Sequence, residues 1–258
     1  MATQTRIAVA GATGRVGRHI ARILWDRGHE VVAISRSAGV DVVTGAGLDE
    51  ALRGVGLVID ASTGASPDQA EETAFFTASA RNLQAAAERA GARRMIVLSI
   101  IGIDDFTGGY NAAKKVHERE VLAGPVPVQI VRAAQFHELV EAMVGWGTQG
   151  DVTHVPRMRT QPAAAAAVAE VVADLVADDD PASAGPGAPV VEVAGPREES
   201  MVALAERFVA ARGLPLRVEG VGDPSDHDSA LYQEGAVLPS PGAVLVGPTF
   251  DEWLAAGA

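Results

Sequence analysis

The chain has 258 residues, of which 48% are hydrophobic, with no cysteine and a formal net charge of −12. That apolar share excludes a disordered chain, and the length is enough to bury a sizeable core. The excess of 33 acidic over 21 basic residues argues against a broad nucleic-acid surface, and the lack of cysteine excludes disulfides, thiolate metal sites and a thiol nucleophile.

The first element is a buried strand over residues 7–10, which runs into Gly11, Gly14 and Gly17. After it Val16, Ile20 and Leu24 fall on one helical face. A strand ending in a glycine turn that opens a helix gathers unpaired backbone N–H groups at the positive end of the helix dipole. That point favours a pyrophosphate. The alternative is that the glycines only permit close packing. Gly28 ends the helix, and Glu30–Ile34 reads as a second strand. A small helix around residues 48–52, a strand over Leu57–Asp60 and a long helix over residues 68–90 follow, with Gly91 closing the last. Further buried strands are expected over residues 95–99 and 128–131. Strands alternating with helices indicate an α/β fold with a doubly wound parallel sheet, Rossmann-like. On such sheets ligands bind beyond the carboxyl ends of the strands, so Gly11, Ser35, Ser62, Ser99 and Arg132 are expected at one crevice.

The second half is less regular. It suggests a strand over residues 151–156, a helix over 163–177, a Pro/Gly/Ala loop from Asp178 to Pro189 and a strand over 190–193 that returns to the sheet. An amphipathic helix over 201–212 and a strand over 216–221 follow. The expected division is a dinucleotide-binding core over residues 1–135 and a smaller α/β substrate-covering part over 136–258. The N-terminus has no basic-then-apolar leader, and no 18-residue apolar run occurs, so a cytoplasmic protein with no membrane partner is expected. The six histidines have no paired zinc spacing, and no metal is expected.

The second strand ends in Ile34-Ser35-Arg36-Ser37, without an acid to accept from a ribose 2′-hydroxyl. Arg36 can instead give charge-assisted hydrogen bonds to a 2′-phosphate, helped by Ser35, Ser37 and Arg15. NADP(H) is therefore the expected cofactor. Thr13 and Val16 in the turn, and Ala61 and Ser62 after the third strand, complete the expected contacts. The other reading of Arg15 and Arg36 is a solvated surface pair.

Tyr110 and Lys114 lie four apart on one helix face. A tyrosine titrates near 10 when unperturbed, and a nearby ammonium would lower that value toward useful acid–base work. Ser99, at the end of the strand before, could hydrogen-bond a substrate oxygen. Gln135, Phe136 and His137 are expected to line the crevice near the nicotinamide, with Trp146 on the next segment. Met143, His154, Met158 and Tyr232 are weaker candidates, since buried apolar residues are by default core.

The glycine turn, Ser99 and the Tyr110/Lys114 pair together resemble the short-chain dehydrogenase/reductase superfamily. More narrowly, Thr44-Gly45-Ala46-Gly47-Leu48, Arg81-Asn82-Leu83, Leu98-Ser99-Ile100-Ile101-Gly102, Gln135-Phe136 and the C-terminal Thr249-Phe250-Asp251-Glu252-Trp253 resemble its atypical, NmrA-like branch. Ala134 departs from the pattern where a hydroxyl residue is usual, and uncharged Ala46 stands where relatives are often acidic. The resemblance implies hydride transfer from NADPH to a small or medium apolar carbonyl, enone, imine or quinone. In that scheme Tyr110 gives the proton, Ser99 orients the oxygen and Lys114 binds the ribose. It also admits a non-catalytic redox sensor that binds NADP(H) and signals to a protein, and an epimerase that reoxidises its own cofactor. Monomer and homodimer both stay open.

Overall fold

The computed structural model describes residues 5–64, 66–177, 187, 190–222 and 227–257. The loop expected from Asp178 to Pro189 lies, except for Gly187, outside the described residues. In chain order the elements are β1 (Arg6–Ala10), α1 (Gly17–Asp26), β2 (Glu30–Ile34), α2 (Leu48–Ala51), β3 (Leu57–Asp60), α3 (Gln69–Ala90), β4 (Arg94–Ile100), α4 (Gly109–Leu122) and β5 (Val128–Ala133). Then come α5 (His137–Gly147), β6 (Thr148–Gln149), β7 (Val152–Pro156), β8 (Arg159–Thr160), α6 (Ala165–Leu175), β9 (Val191–Ala194) and β10 (Glu199–Ser200). The chain continues through α7 (Met201–Ala211), β11 (Arg217–Val221), α8 (Ser229–Glu234), β12 (Val244–Leu245) and α9 (Phe250–Ala255).

Seven strands form one sheet in the order β12-β9-β5-β4-β3-β1-β2. The pairs β1–β2, β1–β3, β3–β4 and β9–β12 are all parallel. The chain divides into two compact units, Met1–Ser99, Gly109–Arg132 and Ala169–Val191 in one, and Ile100–Gly108, Ala133–Val168 and Glu192–Ala258 in the other.

In the first unit, β1 and β3 are apolar runs and almost wholly buried, as expected of parallel strands covered on both faces. Against them pack Leu48 and Leu52 from the α2 region and Ala80, Leu83 and Ala87 from α3, all 0–1% exposed. α3 starts where the Asp68 carboxylate accepts from the Glu71 N–H at 2.9 Å, a side-chain cap. It ends at Gly91, whose φ of 72° supplies the left-handed turn that stops a helix.

The second unit holds two small sheets. β6, β7 and β11 form one, in which β7 runs parallel to β11, and β8 pairs with β10 in the other. Its core gathers Phe106, Val140, Met201, Leu204, Phe208 and Phe250. α9 is fixed by a reciprocal cap in which Thr249 accepts from the Glu252 N–H and Glu252 accepts from the Thr249 N–H. Among the described residues, no helix is long and apolar enough to cross a membrane.

Candidate active site

The glycine turn is built on backbone contact. Gly11 has φ of 74°, and a Cβ there would lie 2.6 Å from the Ala61 carbonyl oxygen; a Cβ on Gly17 would lie 2.1 Å from the Gly11 carbonyl oxygen. Neither position admits a side chain, so the turn brings the ends of β1 and β3 and the start of α1 together. Gly14 N–H donates to the Gly11 carbonyl at 2.8 Å, and Arg18 N–H donates to that of Gly14. Among the described residues, the N–H groups of Thr13, Arg15, Val16 and Gly17 find no acceptor in the protein. Close packing and free amides are thus both present, and the second is what a pyrophosphate needs.

At the end of β2, Ser35 caps a short turn over Arg36–Ala38, and its hydroxyl lies 2.9 Å from that of Ser37. The Arg15 and Arg36 side chains are exposed and carry no ion pair among the described residues. Ala61 and Ser62 follow β3; Ser62 is buried and bonded to Asp60.

The helix that carries Tyr110 and Lys114 begins at Gly109, whose N–H donates to the Gln69 side chain at 2.9 Å. Phe76, from α3, sits between these two residues. Its ring meets Tyr110 edge-on at 5.8 Å, and Lys114 Nζ stands 4.5 Å over its centroid. The Tyr110 hydroxyl lies 2.7 Å from Thr63 Oγ1. The expectation that Lys114 lowers the tyrosine pKa is not met here. Tyr110 as a whole is 41% exposed, but desolvation of its hydroxyl end pushes the pKa above its ordinary value, Thr63 offsets this in part, and the charges of Glu72 and Asp60 push the same way as desolvation. The ammonium is turned instead to His117 Nδ1, at 3.0 Å. Tyr110 is therefore a protonated phenol at neutral pH. That is the state a proton donor starts from.

Among the described residues, four buried side-chain polar atoms of this unit stand without a partner: Arg6 Nε, His29 Nδ1, Glu72 Oε2 and Ser99 Oγ. Ser99 Oγ lies at the end of β4, and Glu72 Oε1, beside the unpartnered Oε2, accepts from the Ser66 N–H at 2.8 Å. An orphaned buried hydroxyl at a strand's carboxyl end is a vacant hydrogen-bonding position for a ligand. The free amides of the turn fit the phosphates of a dinucleotide.

The second unit holds the residues expected to touch substrate. Gln135 Oε1 accepts from the Thr160 hydroxyl at 2.6 Å, and Phe136 precedes α5 in extended backbone. His137 departs from the expectation of a crevice-lining side chain. It is 1% exposed, its Nε2 donates to the Pro248 carbonyl at 3.1 Å, and its ring packs on Phe250 and Trp253 of α9. Burial lowers its pKa, so it is a neutral core histidine. Trp146 is 75% exposed on α5. Met143, Met158 and Tyr232 belong to the unit's apolar cluster, and His154 faces Glu219 at 3.5 Å.

Thr63, Glu72, Asp60 and His117 join the site in the folded chain without being among the residues expected from the sequence. A signal existed for two of them. Asp60 is an acid closing an apolar strand, and His117 stands three residues after Lys114 on the same helix face.

A parallel sheet whose first strand ends in this turn is the architecture of a dinucleotide-binding α/β protein. Residues 11–179 match a family described as NAD(P)H-binding, and the chain belongs to that family. It is 28% identical over 196 residues to the photosystem II assembly factor Ycf39 of Synechocystis sp., a match covering 67% of this chain and 60% of that relative. Among solved structures it is similar to a dTDP-4-dehydrorhamnose reductase from Bacillus anthracis in complex with NADP, with a TM-score of 0.74, 16% identity and 98% of both chains covered. It is also similar to an NADPH-dependent quinone oxidoreductase from Escherichia coli, with a TM-score of 0.69, 18% identity, and 97% of this chain and 98% of that one covered. At those identities the likeness is one of fold.

Proposed function

We propose that this chain is an NADPH-dependent reductase of a small or medium apolar carbonyl, enone, imine or quinone, with Tyr110 as the proton donor. The observation that carries the reading is the phenol itself, held protonated beside Thr63 on the same helix as a buried lysine. The glycine turn and the amides of Thr13, Arg15, Val16 and Gly17 would hold the pyrophosphate, and Ser35, Arg36 and Ser37 the 2′-phosphate. The reduced nicotinamide, when bound, supplies the hydride. Ser99 Oγ donates to the substrate's carbonyl oxygen or imine nitrogen, and the phenolic proton of Tyr110 moves to that atom as hydride adds to the carbon and negative charge develops on it. Lys114 holds the ribose. Positioned acid catalysis of this kind contributes about 10²–10⁴-fold. The test is NADPH consumption over quinones, enones, ketones and cyclic imines with wild-type protein and Tyr110→Phe. Turnover unchanged in the variant would remove Tyr110 from the mechanism.

A second reading is a non-catalytic NADP(H)-dependent regulator. It is favoured by the lysine, whose ammonium turns to His117 and not to the phenol, and by the relative named as an assembly factor. Clear NADP(H) binding with no consumption across the screen would support it.

A further inference from the structure

Behind Lys114 runs a row of buried side chains that the proposed chemistry does not use. Lys114 Nζ lies 3.0 Å from His117 Nδ1, and His117 Nε2 lies 3.0 Å from Asp60 Oδ2. Asp60 Oδ1 accepts from the Ser62 N–H at 2.9 Å and from its hydroxyl at 2.6 Å. Lys114 is 4% exposed, and His117 and Asp60 are 0%. The row lies against Phe76, which stacks on the His117 ring at 4.8 Å between centroids.

The direction of these bonds is set by chemistry. An ammonium has only donors, so Nδ1 must be the bare nitrogen of the imidazole. Nε2 then carries the proton and donates to Asp60, a carboxylate that has only acceptors. The result is a cation and an anion separated by a neutral ring of fixed tautomer. Burial alone would raise the Asp60 pKa, but bonds from His117 and Ser62 and the nearby positive charge hold it at about 2. Burial and the Lys114 charge keep His117 neutral. A buried ion pair seldom stabilises a fold more than apolar side chains of the same volume, so stability alone gives no reason for this row.

We propose that His117 and Asp60 are positioning residues for Lys114. They lock its ammonium in one place and keep it charged, so that it is already in position when a dinucleotide ribose arrives. The inference rests on the ribose role given to Lys114 above. Apart from Asp60, the carboxylates acting on the ammonium are Glu118 on its own helix and Glu72 on α3, and burial still draws its pKa down to about 8. An amine in that range needs its partners to stay protonated at neutral pH.

Two measurements test the row. In protein labelled with ¹⁵N-histidine, with the His117 signals identified by their absence in His117→Phe, the dinucleotide-free wild type should show a bare Nδ1 and a protonated Nε2. Asp60→Asn, whose amide can donate to Nε2, should shift His117 toward the other tautomer. Second, NADPH affinity is followed from pH 6 to 9. His117→Phe keeps an aromatic ring against Phe76 but offers no acceptor. It should bind NADPH at least tenfold more weakly at neutral pH, with the affinity falling off about one pH unit earlier than in wild type. His117→Asn, which keeps an acceptor near the place of Nδ1, should recover part of the affinity. A protonated Nδ1 in the wild type, or a His117→Phe protein that binds NADPH with wild-type affinity and pH profile, overturns the proposal. If Tyr110→Phe keeps full turnover while His117→Phe still loses affinity, the reductase mechanism fails and the positioning role stands.

Discussion

Replacing Asp60 by asparagine removes the anionic end of a fully buried row, and the cost can be worked from the titration of that carboxyl. Its pKa is about 2 in the folded chain against an ordinary 3.8. A depressed carboxyl contributes stability that is fully present above the unfolded value and lost as pH falls through the folded one. The difference corresponds to about 2 kcal/mol at neutral pH, of which about half is gone by pH 3. Asparagine has no such dependence, and it leaves Lys114 without its charge partner. The assay is urea unfolding of wild type and Asp60→Asn across pH 6 to 3, taking the difference between the proteins at each pH so that the other carboxylates cancel. Wild type should be more stable by at least about 2 kcal/mol at pH 6, and the gap should narrow by about 1 kcal/mol on reaching pH 3. A gap that stays constant over the range would mean that Asp60 holds no stabilising charge.

Other consequences are as direct. Gly17→Ala forces a Cβ to 2.1 Å from the Gly11 carbonyl oxygen, so dinucleotide affinity should fall at least about tenfold with a lower Tm, read by calorimetry and thermal melting. Arg36→Asp should weaken NADPH binding by about 10–100-fold and NADH binding far less; equal losses would remove the 2′-phosphate role. Phe76→Ala opens the space between Tyr110, Lys114 and His117 and should cost about 3–5 kcal/mol in urea unfolding. Thr63→Val removes the bond that offsets the raised pKa of Tyr110. Phenolate absorbance, with Tyr110→Phe separating it from Tyr232, should then titrate at higher pH than in wild type.

The first half of the fold was legible because its signals are local. β2 runs over Glu30–Ile34 and β3 over Leu57–Asp60, as their short apolar runs between turn residues suggested. The return of β9 to the sheet, expected from a strand after a Pro/Gly/Ala stretch, also appears in the strand order. In the second half, β7 and β11 pair in a separate small sheet over 60 residues apart in the chain, which no local pattern announces. The site divides in the same way. Gly11 and Gly17 were visible as spacing, and their reason, backbone approach to Ala61 and to Gly11 itself, is three-dimensional. The helix period placed Tyr110 and Lys114 on one face but could not say where the ammonium points. His117, one turn on, offers it an acceptor, backed by Asp60 from 57 positions earlier in the chain. His137 differs from its sequence expectation for a related reason. It follows a strand's carboxyl end, but Phe250 and Trp253, more than 110 residues later, enclose its ring.

The central claim is that Tyr110 delivers the proton during an NADPH-dependent reduction. Its most direct test is the NADPH oxidation rate of Tyr110→Phe on the best substrate found in the carbonyl, enone, imine and quinone screen, alongside its NADPH affinity. With Tyr110 as the proton donor, the rate should be lower by about 10²-fold or more, with affinity close to wild type. A Tyr110→Phe protein that oxidises NADPH at the wild-type rate would contradict it.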